Sequence, residues 1–243
     1  MKKKLWKLPI PIVIAAAIVL LSGGILIYAL TKTTEKAGPV AYWKFDEADG
    51  GIAYNTIGKF DGVLNGDRQW QPDDGMNGGA LSFDGTDDYV STPFVIDPAL
   101  DSFSVFAWIK GGAPGQVILS QEGAGNWLMA DPADGALRTD LREPEVGGRN
   151  ASPAGPPLIS TAVISDGNWH RIGFVRDASD RILYVDGVEV ARDTAAALES
   201  SEGGLTIGAG STLEPASFFS GLIDDIRMYS PALGEEEITD LTL

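Results

Sequence analysis

Between Arg181 and Arg192 the chain reads RILYVDGVEVAR, two alternating runs joined by Asp186-Gly187. That dipeptide suits the two left-handed positions of a type I′ turn, so the segment is predicted to be a tight β-hairpin. A two-residue turn sets Val185 opposite Val188 and Leu183 opposite Val190 on one apolar face. Ile182, Tyr184, Glu189 and Ala191 then occupy the other. One core face and one mixed face is the signature of an antiparallel sheet packed on a second layer.

The same grammar recurs along the chain. Short alternating runs start at Ala41, Ala80, Tyr89, Phe103, Val117, Trp127, Ala136, Thr161, His170, Leu205 and Gly221. Thirty glycines and fourteen prolines punctuate the 243 residues, and no long amphipathic helix interrupts them. Roughly a dozen short strands in about 200 residues imply an all-β, two-sheet antiparallel sandwich. Ser230-Pro231 followed by residues 234–238 predicts a short terminal helical turn, and 143–157, rich in Gly and Pro, a long loop. The chain has no cysteine, so disulfides and thiolate metal sites are excluded.

The N-terminus obeys different rules. Residues 1–7 carry four lysines, and 8–30 contain no charged residue. A run of that length matches a bilayer-spanning signal-anchor helix, with the lysines in the cytoplasm and the main domain extracellular. Secretion after signal cleavage near Ser22-Gly23-Gly24 is the alternative. Residues 31–39 form a polar linker, and 40–243 the folded domain. The formal charge is −16, and all but one of the 34 acidic residues lie beyond residue 36. Such a surface repels phosphate backbones and excludes nucleic acid as a partner.

Residues 219–238, FSGLIDDIRMYSPALGEEEI, contain the most demanding side chain. Strand alternation places Asp224 with Leu222, Ile226 and Met228, on a face without lysine or arginine. A carboxylate there needs hydrogen bonds, an ion pair or a metal, and the expectation is calcium. Asp46, at the end of the first strand, and Asp84, Asp87 and Asp88 in FDGTDDY are further candidate metal ligands. Asp-Gly and Asp-Asp are also ordinary turn chemistry, which is the competing reading of the loop aspartates.

The motifs AYWKFDE (41–47), ALSFDGTDDYVSTP (80–93), FSVFAWIK (103–110), DGNWHRIGFVRD (166–177), LYVDGVEVAR (183–192) and GLIDDIRMYSPALGEEEI (221–238) resemble the laminin G-like domain of the concanavalin A-like lectin/glucanase superfamily. The resemblance implies a jelly-roll sandwich, often with calcium, in surface or secreted proteins that bind glycans or extracellular ligands. It also implies that Asp224 occupies the final-strand position that ligates a structural calcium in related glucanases. Those enzymes use a Glu-x-Asp-x-x-Glu run, whereas here residues 138–143 read RTDLRE. Arg138 stands in the nucleophile's place, so the expectation is a noncatalytic adhesion module that recognises a glycan or an extracellular protein. The single histidine, His170, has no nucleophile signature around it and reads as structural. Trp70, Asn126 and Trp127, beside Gly-rich stretches, are the candidate ligand-binding residues. A surface-filament or envelope subunit, with self-assembly through the N-terminal segment, is the second class of function. A glycan hydrolase is the third.

Overall fold

The computed structural model describes residues 38–67, 69–100, 102–148 and 151–241, and the short strands β1 (Leu20–Leu21) and β2 (Gly24–Ile25). The chain divides into two units, Met1–Lys36 and Ala37–Leu243. In the first, β1 and β2 pair antiparallel, so these four residues are extended where the sequence predicts a helix over 8–30. Gly24 carries a helix penalty of about 1 kcal/mol relative to alanine, which disfavours the helix locally. The rest of the predicted anchor, and the basic segment 1–7, lie outside the described residues. Among the described residues no helix is long and apolar enough to cross a membrane.

The second unit is a two-sheet antiparallel sandwich. Its early strands are β3 (Ala41–Trp43), β4 (Ile52–Ala53), β5 (Gly62–Asn65), β6 (Gln69–Gln71), β7 (Ala80–Asp84) and β8 (Tyr89–Ser91). The middle strands are β9 (Ser102–Gly111), β10 (Val117–Gln121), β11 (Gly125–Ala130), β12 (Ala136–Thr139) and β13 (Leu158–Val163). The last are β14 (Trp169–Asp177), β15 (Asp180–Val185), β16 (Val188–Thr194), β17 (Leu205–Ile207) and β18 (Ser220–Tyr229), followed by the helix α1 (Glu235–Asp240). One sheet runs β13-β12-β11-β10-β17-β8-β5-β4. The other runs β16-β15-β14-β9-β18-β7-β6, with β3 also pairing to β18.

The main core joins residues of both sheets, with Ile118, Leu119 and Trp127 from one and Phe103, Val105 and Phe174 from the other. The Phe103 and Trp127 rings lie 5.1 Å apart across the interface. A second cluster, including Phe106, Val175 and Tyr184 with Leu233 and Ile238, seats α1 on the outside of the second sheet. Every large predicted strand is present, and β4, β5 and β6 are additional. They have at most four residues each, too few for alternation to register.

Two bulges alter the predicted faces. At the hairpin, Asp186 and Gly187 take φ of 52° and 79°, as a type I′ turn requires. Val185 pairs with Val188, but the register then shifts and Leu183 meets Ala191 instead of Val190. On β18 the register against β9 shifts between Asp224 and Arg227, and Asp225 has φ of 52°. The extra residue reverses the alternation. The inter-sheet core of β18 is therefore made by Ile223, Ile226 and Met228, and Asp224 leaves the face it shares with Ile226 and Met228 in the sequence pattern.

Candidate functional site: a buried acid corner and a polar cleft

Asp224 is fully buried, as expected, although it points away from the inter-sheet core. It is covered by the turn-rich segment PDDGMNGG, residues 72–79. Its Oδ2 accepts the backbone N–H of Met76 at 2.8 Å and of Asn77 at 3.0 Å. Its Oδ1 is buried with no hydrogen-bond partner. Burial, with the charges of Asp225 and Asp46 nearby, pushes the Asp224 carboxyl up to about 7. Asp46 accepts the N–H of Gly79 at 2.8 Å, so one loop spans both carboxylates. A Cβ on Gly78, where φ is 93°, would lie 2.4 Å from Asp46 Oδ1, so glycine is required there.

The adjacent Asp225 faces a different set. Its carboxylate accepts from the Tyr42 hydroxyl and the Asn77 amide, and pairs with Arg227 at 2.8 Å. Arg227 also lies over the Tyr42 ring, 4.5 Å from its centroid. This network binds β3 to β18, which pair directly with Ile226 opposite Trp43. Sequence reasoning finds Asp224 and Asp46 but misses Asp225 and the 75–79 loop; the glycine run beside acids was the available signal.

The other predicted ligands form a separate group. Asp84, Asp87 and Asp88 bring carboxylate oxygens within 4.8 Å of one another. Asp84 pairs with Ser220, four residues from Asp224 along β18, or about 13 Å at strand rise. The two groups therefore do not make one site. Asp84 Oδ1 accepts from Thr86 N at 2.7 Å and Asp88 Oδ2 from Asp84 N at 3.0 Å, which is turn bonding.

On the outside of the first sheet a cleft of about 540 Å³ opens over β10, β11 and β12. Its floor holds Asn126, Met129, Arg138 and Asp140, with walls from 142–145 and 210–217. Asp140 accepts from Arg138 Nε at 2.8 Å and from Asn126 Nδ2 at 3.0 Å, while Arg138 also pairs with Asp131 at 3.0 Å. Arg181, itself buried, anchors one wall by donating to the carbonyls of Leu141 and Pro156 and pairing with Asp193. Glu143 fixes the same wall by accepting the N–H of Ala196.

Of the predicted ligand-binding residues, Asn126 lies in this cleft and the two tryptophans do not. Trp127 is fully buried against Phe103, because the strand sends Asn126 outward and the next residue inward. It is a core residue and not a ligand contact. Trp70 is half-buried, donates to Gly50 O at 3.0 Å and leans on Phe45, beside a shallow depression with Asp49, Asp67 and Gln69. His170 is held between Asp186 and Asp166 at 2.9 and 3.1 Å, in keeping with a structural role.

The two-sheet antiparallel sandwich, with a cleft on the outer face of one sheet, has the architecture of a β jelly roll. The family model of the concanavalin A-like lectin/glucanases superfamily matches residues 84–239, and the chain belongs to that superfamily. No curated protein matches the sequence. Among solved structures it is similar to domain 4 of AbnA, an extracellular arabinanase from Geobacillus stearothermophilus, in complex with arabinotriose. Identity is 21%, the TM-score is 0.58, and the match covers 86% of this chain and all of that one. It is also similar to the binding domain of Paraclostridial mosquitocidal protein 1, at 14% identity and TM-score 0.64, covering 84% of this chain and 51% of that. Trypanosoma rangeli sialidase in complex with the inhibitor DANA matches at 16% identity and TM-score 0.55, covering 86% and 33%. The chain thus spans about half of the toxin chain and a third of the sialidase chain, and at these identities the likeness is one of fold. That fold is carried by noncatalytic binding domains and by domains of glycosidases alike.

Proposed function

We propose that this protein is a noncatalytic surface module that binds a glycan in the cleft over β10–β12. The observation that carries the reading is the Asn126–Asp140–Arg138–Asp131 chain of hydrogen bonds on the cleft floor. Fixed polar groups in a concavity orient a polyhydroxylated ligand without ordering new side chains. The same bonds argue against glycoside hydrolysis, because both Asp140 oxygens are occupied and Arg138 stands where a second carboxylate is needed. The arabinotriose bound by the Geobacillus domain is consistent with an oligosaccharide ligand.

The acid corner is read as a structural calcium site. Asp224 with its unpartnered oxygen, and Asp46, which is bonded to the same covering loop, are the residues that would hold the ion. Hard carboxylate oxygens suit calcium, whose charge would offset the burial of Asp224. An N-terminal membrane anchor, presenting the domain outside the cell, completes the proposal. A glycan array probed with residues 37–243, in calcium and in EDTA, tests it. Selective binding that falls when Asp140 is replaced supports the reading, and an array without hits overturns it.

A further inference from the structure

The cleft walls carry an uneven charge. Among the described residues that line it are five carboxylates, Asp140, Glu143, Glu145, Glu199 and Glu214, against two guanidiniums, Arg138 and Arg142. Arg138 is already neutralised twice, by Asp140 on the floor and by Asp131 behind it, at 2.7 and 3.0 Å. Glu145, Glu199 and Glu214 are exposed and reach the cleft from separate wall segments. A concavity lined by one sign of charge raises the local concentration of opposite charge and repels its own.

We infer that the cleft selects glycans by charge, admitting neutral and amino-bearing chains and rejecting those with carboxylate or sulfate groups. The inference rests on the glycan-binding reading of the same cleft. A neutral sugar's hydroxyls donate to carboxylate acceptors, and a protonated amino group gains charge-assisted bonds. A uronate or sialate finds Arg138 already engaged, and the exposed Arg142 offsets only one of the four lining glutamates, Glu143, Glu145, Glu199 and Glu214. Three exposed acids at about 8 Å in water together amount to about a tenfold penalty for each ligand carboxylate.

The test uses the full chain on one array of three sets. These are neutral arabinan, glucan and mannan oligosaccharides, deacetylated glucosamine oligomers, and galacturonate or sialylated oligosaccharides, each in 50 mM and 500 mM NaCl. The expected result is affinity in the order amino, neutral, acidic, with acidic ligands at least about tenfold weaker than neutral ones at low salt. High salt should compress that order. The double substitution Glu199→Gln, Glu214→Gln should raise the ratio of acidic to neutral affinity by about fivefold at low salt. Acidic ligands that bind as tightly as neutral ones, or a ratio that the double variant leaves unmoved, would overturn charge selection and leave glycan binding standing. Silence in all three sets would remove the glycan reading, and this inference with it.

Discussion

Asp224, on β18, and Asp140, just past the end of β12, are both aspartates with neighbouring acids, yet the protein treats them in opposite ways. Asp140, half-buried in the open cleft, has both oxygens satisfied by Arg138 and Asn126. Asp224, fully buried under the 75–79 loop, has two backbone N–H donors on one oxygen and nothing on the other. The cleft is balanced at its floor, and on the proposed reading its rim is left to choose a ligand. Among the described residues no cation pairs with Asp224, and burial makes that lack costly by pushing its carboxyl pKa up. Charge deficit at a solvated rim is, on the proposed reading, free to tune recognition, whereas the same deficit inside the fold demands a cation or a proton.

The largest effect expected to separate the two regions is one of pH. The Asp224 carboxyl ionises near 3.8 in the unfolded chain and near 7 in the fold, chiefly through burial. Between those values the native state keeps a proton that the unfolded state has lost, so stability falls as pH rises through the window. In EDTA, chemical denaturation at pH 5 and pH 8 should differ by up to about 3 kcal/mol in favour of pH 5, because the pH 5 limit already lies inside the window. Calcium at pH 8 should restore about 2.7 kcal/mol at a hundredfold excess over its Kd. A flat profile in EDTA would break the contrast.

Replacing Asp224 by Ala strips the acceptor from two backbone N–H groups. It is expected to cost about 3 kcal/mol, a fall of roughly 6–12 °C in Tm by calorimetry. Asp224→Asn keeps an acceptor, and should lose the calcium response and the pH dependence together.

On the cleft side, Arg181→Met leaves the carbonyls of Leu141 and Pro156 without their donor, at an expected 2 kcal/mol or about that. Glycan affinity should fall with it as the wall loosens, which titration calorimetry reads directly. Asp140→Asn should cost no more than about 1 kcal/mol of stability, since Arg138 retains Asp131, while weakening glycan binding about tenfold. Smallest of all, Asp87→Asn in the 84–88 turn should move stability by no more than about 0.5 kcal/mol and leave the calcium response intact. A lost response would shift the metal site to that turn.

Much of the architecture was legible because it is local. Asp186-Gly187 fixes its own hairpin, and the alternation in 103–110 and 170–176 marks strands that pair over their whole length. The exceptions share one cause. Bulges at Asp225 and near Val190 add a residue without leaving a mark in composition, so alternation read across them assigns the wrong face. Trp127 shows the same limit, since a flanking glycine loop says nothing of which way the next pleat points.

By itself the sequence determined the all-β sandwich, its terminal helical turn, the exclusion of thiol chemistry, and the isolation of Asp224. These follow from residue periodicity, turn chemistry and charge, which act over a few positions. Only the tertiary structure decided that Asp224 meets Asp46 beneath one loop, that Asp84, Asp87 and Asp88 stand apart, and that Asn126, Asp140 and Glu214 share a cleft. Those groupings join residues up to 178 positions apart, and strand pairing, not proximity along the chain, sets which of them meet.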